Sequence, residues 1–84
     1  MASMDWAGYH DVEVIPGKVS GAPLLRDTRL PVEAILENYD AFLEDGMSPA
    51  DAVMETLECY PEIGVERIRG VLAYRASHER QLQP

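Results

Sequence analysis

Cysteine is almost absent from this chain: Cys59 is the only one in 84 residues. One thiol excludes an intrachain disulfide, a four-cysteine zinc site and a Cys-X-X-Cys redox pair. Beside Tyr60 it reads as half-buried filler, the usual station of a free cysteine. Histidine is scarce as well. His10 and His78 lie far apart, each next to a single acid (Asp11, Glu79), and no His-Glu-X-X-His pattern occurs, so no metal site is expected. Gly17 and Gly21 lack the Gly-Lys-Ser or Gly-Lys-Thr ending of a phosphate loop, and no carboxylate pair sits in an apolar setting that would tune an acid and a base. The chain therefore reads as a non-enzyme without a cofactor. No apolar run reaches the roughly 18 residues of a membrane span. Met1 to Trp6 shows no basic stretch followed by an apolar core, so no signal peptide is expected and the cytoplasm is the default location.

Positive charge is the next shortage. Seven Lys and Arg stand against fifteen Asp and Glu, a formal charge of -8. Such a field opposes DNA and anionic bilayers and suits a basic protein partner. The charges are nevertheless segregated. Lys18, Arg26 and Arg29 precede the first helix signal, Arg67, Arg69, Arg75 and Arg80 lie in the last, and the acids concentrate between them.

What remains is one small domain with limited core. The expected layout is an N-terminal arm over 1–10, a single domain over 11–80 and a frayed tail over 81–84. Trp6 and Tyr9 are placed to fold back or to enter a subunit contact. Val12–Ile15 gives a short strand signal stopped by Pro16-Gly17, and Val19 with Leu24-Leu25 gives a second. Three helices follow. The first is expected over 31–44, with Pro31 at the first helical position and Asp45-Gly46 closing it. The second is expected over 48–59, capped by Ser48 with Asp51 three residues on, and ended by Pro61. The third is expected over 65–80. Their shared periodicity predicts a core of Ile35, Leu36, Tyr39, Leu43, Val53, Leu57, Ile68 and Leu72, with Ala50, Met54 and Ala76 also facing inward. Three successive helices, the last two joined by a short link, predict a helix-turn-helix arrangement.

Candidate functional residues fall into three groups. Glu33, Glu37, Asp40 and Glu44 form an acidic stripe on the first helix, either solvated surface or a docking strip for a basic partner. Lys18, Arg26, Thr28 and Arg29, as loop groups, and Arg67 and Arg69, early in the third helix, are candidates for DNA, against surface or salt-bridge roles. Arg67 and Arg69 lie about 200° apart on an ideal helix, so both cannot enter one groove, and Arg69 fits the exposed face better. Val12, Val14 and Ile15 are candidates for a homodimer contact, because strands this short are marginal alone.

The run Gly17-Lys18-Val19-Ser20-Gly21-Ala22-Pro23 into Leu24-Leu25-Arg26-Asp27-Thr28-Arg29-Leu30-Pro31 resembles the opening signature of the domain-of-unknown-function family numbered 433. The likeness continues through Glu44-Asp45-Gly46-Met47-Ser48-Pro49, Tyr60-Pro61 and the run from Val65 to Tyr74, covering residues 11 to about 76. The resemblance implies a mainly α fold: a three-helix, homeodomain-like helix-turn-helix core with a short N-terminal β-strand region. It also implies a homodimer that acts as an antitoxin or transcriptional regulator, with a small nuclease-like toxin as protein partner and double-stranded operator DNA as a second ligand. The contending reading is a protein-interaction or scaffold module without DNA binding. One departure stands out. The family pattern has Arg-Gly-Thr-Arg where this chain has Arg26-Asp27-Thr28-Arg29, and Asp adds bulk and negative charge where glycine allows left-handed angles.

Overall fold

Helix boundaries follow from local chemistry at each end. The computed structural model describes Trp6, residues 8–15 and residues 21–82, the last three of these by backbone alone. Strand β1 (Val12–Glu13) pairs antiparallel with β2 (Leu24–Leu25), Val12 opposite Leu25 and Glu13 opposite Leu24. Helices α1 (Val32–Glu44), α2 (Pro49–Cys59) and α3 (Val65–Leu82) follow, with a single 3-10 turn at Pro61–Ile63 between the last two. The fold is mainly α, three helices in a helix-turn-helix-like order on a small hairpin, as the spacing predicts.

Pro31 is the residue before α1 rather than its first member, with extended angles. At the other end the Gly46 amide donates to Leu43 O and the Met47 amide to Phe42 O, the paired bonds of a Schellman motif with Gly46 at positive φ. Ser48 Oγ accepts from the Asp51 amide at 3.2 Å and caps α2. Asn38 ties the elements together: its side-chain amide donates to Ala34 O and to the Tyr60 hydroxyl at 2.9 Å, joining α1 to the end of α2.

α1 packs on α2 and α2 on α3. The core is built on Val12, Leu25, Val32, Ile35, Val53, Ile63, Ile68 and Val71, with Leu36, Tyr39, Leu57 and Leu72 partly buried against it. Leu24 and Leu25 are both fully buried. Successive strand residues point to opposite faces, so both sides of β2 are covered.

Several placements differ from the expected ones. β1 has two residues, not four, and Val14 is 54% exposed. On α2 the inward residues are Ala52, Val53 and Thr56, whereas Ala50 faces solvent and Met54 is 51% exposed. Thr56 is tolerated on this face because its hydroxyl donates to Ala52 O at 2.8 Å, which satisfies its polar atom inside the core. Ala76 and Cys59 are likewise exposed. The C-terminal helix extends to Leu82, into the tail expected to fray. Val19 lies outside the described residues.

Trp6 belongs to the core at 4% exposure. Its ring stacks on Tyr74 with centroids 5.1 Å apart, and Tyr9 lies 4.9 Å from Tyr74 and edge-on to Trp6. The Tyr9 hydroxyl fills the notch left by Gly70, where an added Cβ would collide with it. Burial, followed by the charge of Asp11, raises the Tyr9 pKa, so the phenol in this notch stays neutral. The N-terminal segment therefore runs antiparallel along α3, Trp6 against Tyr74 and Tyr9 against Gly70. Alanine at position 70 is expected to lower the melting temperature despite its better helix propensity, because overpacking costs about 1–3 kcal/mol against roughly 1 kcal/mol gained. In a Tyr9→Leu background the same change should raise it. Thermal unfolding of the four proteins of this cycle checks the sign reversal.

Candidate functional site

The turn that follows β2 is shaped by its own side chains. The Thr28 amide donates to Leu25 O at 3.0 Å, closing a four-residue turn, and Asp27 at its third position has φ of 62°. A positive φ there is the mark of a type II turn, which favours glycine. Thr28 Oγ1 donates to Leu25 O at 2.7 Å and accepts from the Leu30 amide at 3.0 Å. The Asp27 amide donates to Glu13 Oε2 at 3.1 Å, across the hairpin. Thr28, a candidate for DNA contact, is thus used to hold the turn, with the Asp27 backbone beside it.

Arg26 and Arg67 are also engaged inside the protein. Arg67 Nε and Nη2 donate to the two oxygens of Asp11 at 2.8 and 3.0 Å, a bidentate fork, and Nη2 donates further to Arg26 O at 2.7 Å. The Asp11 hydrogen bonds are the main cause that pushes the Arg67 pKa up, so this guanidinium stays charged. Arg26 Nε donates to His10 O at 2.6 Å, and its guanidinium lies 3.7 Å from Glu13. N-terminal segment, turn and α3 are joined at one point.

Of the remaining DNA candidates, Lys18 lies outside the described residues. Arg29 and Arg69 are exposed, and among the described residues neither makes a hydrogen bond or ion pair. Around Arg69 the outer face of α3 carries Glu66, Ala73, Ala76 and Ser77, all exposed, and Glu62 is exposed in the turn before it. The start of α3 therefore offers one free arginine between acids.

The acidic stripe of α1 is divided. Asp40 accepts two hydrogen bonds from Arg75 at 2.9 and 3.0 Å, tying α1 to α3, and those bonds raise the Arg75 pKa. Glu33, Glu37 and Glu44 are exposed. Of the three dimer candidates, Val12 is spent in the protomer core, Val14 is exposed and Ile15 is half-buried. Among the described residues no group of three or more His, Cys, Asp or Glu converges on a metal position, and no helix is long and apolar enough to cross a membrane.

The fold and the turn define a small helix-turn-helix-like protein with a signature hairpin ahead of its helices. The chain belongs to the family described as "Protein of unknown function (DUF433)", which matches residues 12–74. No curated protein and no solved structure matches it. The matched stretch begins at Val12 and so omits Trp6, Tyr9 and Asp11, the residues that strap α3.

Asp11 and Glu13 are the participants that reading the sequence misses. Asp11 is visible only as a neighbour of His10, and its partner lies 56 residues away. Replacing Asp11 with Ala should destabilise the protein by about 1–3 kcal/mol, the usual worth of hydrogen bonds to a charged group, and Arg67→Lys should lose most of the same energy because an ammonium cannot make the fork. Urea denaturation reads both. Asp27→Gly should stabilise by about 0.5–1 kcal/mol, relieving the left-handed cost, whereas Asp27→Ala should destabilise. The same unfolding curves check that ordering.

Proposed function

We propose that this non-catalytic protein is an antitoxin-type cytoplasmic regulator that works by holding a basic protein partner, the small nuclease-like toxin that the family resemblance implies. The observation that supports this best is how the charges are used. Arg26 and Arg67 are committed to Asp11, Glu13 and backbone carbonyls, and Thr28 to its own turn, while Glu33, Glu37 and Glu44 face solvent. A net charge of -8 adds long-range attraction for a basic partner and repulsion of a phosphate backbone. The α1 acids, without exposed apolar neighbours of comparable size, suit steering of that partner more than anchoring it. Val14 and Ile15, beside the edge of β1 that pairs with no other described strand, are the residues left for a homodimer contact.

Operator DNA is a second reading, favoured by Arg29 and Arg69 alone, since both project from the surface without a partner among the described residues. Calorimetry with the product of the adjoining reading frame tests the first reading. A stoichiometric complex is expected, weakened roughly tenfold or more between 0.05 and 0.5 M salt as screening removes the steering charge. Absence of a complex would overturn it. Gel retardation on the upstream promoter tests the second. No sequence-dependent retention by the protein alone is expected; retention that Arg29→Ala with Arg69→Ala abolishes would make DNA the principal ligand instead.

A further inference from the structure

The outer face of α2 carries two stripes that the packing of the fold leaves largely open, only Leu57 reaching the core with part of its side chain. An α-helix turns about 100° per residue, so positions spaced four and three apart share a line along its surface. Ala50, Met54 and Leu57 make one such line. Ala50 is exposed, Met54 is 51% exposed and Leu57 is half-buried at the edge of the core. Asp51, Glu55 and Glu58 make the adjacent line at the same spacings, Asp51 and Glu58 exposed and Glu55 half-exposed. α2 contains no basic residue.

We propose that this face is the anchoring site for an amphipathic helix of the protein partner, one that lays an apolar stripe on Ala50, Met54 and Leu57 and sets Lys or Arg side chains against Asp51, Glu55 and Glu58. The inference deepens the partner-binding reading above and rests on it. Its physical basis is the pairing of an apolar centre with a charged margin of a single sign. Met54 is a flexible, polarizable side chain able to adapt to an incoming apolar surface. Desolvating it supplies affinity, while the acids fix the sign and orientation of the occupant. α2 spans 11 residues, three turns, which matches one anchor stripe of the helix-in-groove type.

Charge also settles which occupant fits. A second copy of this chain seated on the same face by a two-fold axis would bring Asp51, Glu55 and Glu58 against their own equivalents, and like charges across an interface are costly. The free protein already shows that repulsion. The Glu55 carboxyl is held above its ordinary pKa, first by the charge of Glu58, with the charge of Asp51 adding to it. A lysine or arginine set into the row would relieve it. The α1 stripe differs. Its Asp40 is tied to Arg75, and among the described residues Met54 and Val14 are the strongly exposed large hydrophobics, neither of them on α1.

The probe is a synthetic 18-residue helical peptide of Leu and Lys, with Leu along one face and Lys beside it, titrated into the isotope-labelled full chain at roughly physiological ionic strength. A scrambled peptide of the same composition is the control. Saturable amide shifts should centre on Ala50, Met54, Leu57 and Glu58 with the ordered peptide only. Met54→Ser and, separately, Glu55→Lys with Glu58→Lys should each weaken binding roughly tenfold, as expected at an interface anchor, with the helical spectrum unchanged. Glu33→Lys with Glu37→Lys on α1 should weaken it less than about threefold, the size of a rim charge effect. Equal binding of the scrambled peptide, shifts centred on α1, or indifference to Met54→Ser would overturn the proposal. The natural partner separates this failure from that of the parent reading. A complex with the adjoining gene product that survives both α2 variants removes the α2 site alone. Absence of that complex, with the peptide still seated on α2, removes the antitoxin reading alone.

Discussion

The Arg67 guanidinium is the point on which the rest of the structure depends. Its fork on Asp11 and its bond to Arg26 O join three stretches of chain, 56 and 41 residues apart in sequence. Two strands of two residues each cannot hold a hairpin in place by their own ladder. The hairpin is instead fixed from outside, by α3 through Arg67 and by the ring stack of Trp6, Tyr9 and Tyr74. With side-chain exposures of 30% and 19%, the Arg67–Asp11 pair is sheltered enough to count for more than an open surface bridge, yet not so deep that losing water cancels it.

That arrangement decides the economy of charge. The chain has few cations, and the fold uses Arg26, Arg67 and Arg75 to pull segments together: hairpin to α3, and α1 to α3. Each internal bridge also neutralises an acid, so the exposed acidity is concentrated on α1, α2 and the turn before α3. A helix-turn-helix topology does not by itself make a DNA reader. Here the helix that would enter a groove begins among Glu62 and Glu66.

Much of the fold is legible in the sequence because its punctuation is local. Ser48 with Pro49, Asp45 with Gly46, and Tyr60 before Pro61 mark helix ends within one or two residues, and each acts through the backbone of its nearest neighbours. The facing of α2 is less legible. Of Ala50, Val53, Met54 and Leu57, the expected inward set, Val53 is buried and Leu57 packs on the core, while Ala52 and Thr56 take the inner places expected for Ala50 and Met54, the Thr56 hydroxyl being satisfied by its own helix. Hydrophobicity alone ranks Met above Thr and so misplaces those positions. The left-handed turn is readable from the family's glycine, and Asp27 adopts the angle that glycine would. The Asp11–Arg67 fork is not readable, since nothing local to either residue names the other. The candidate site suffers accordingly: residue types that suit phosphate contact also suit internal bridges, and only three-dimensional placement distinguishes them.

The strap over α3 carries an optical label. Trp6 is the sole tryptophan of the chain, and the N-terminal segment carries it into the core against Tyr74 of α3. Its emission therefore reports whether the N-terminal segment is seated on α3, while far-ultraviolet dichroism reports the helices. The two signals divide the molecule into parts that can be followed separately. Release of the strap would shift the indole into water with the helical content intact, so this protein can be watched loosening at one end without any added fluorophore.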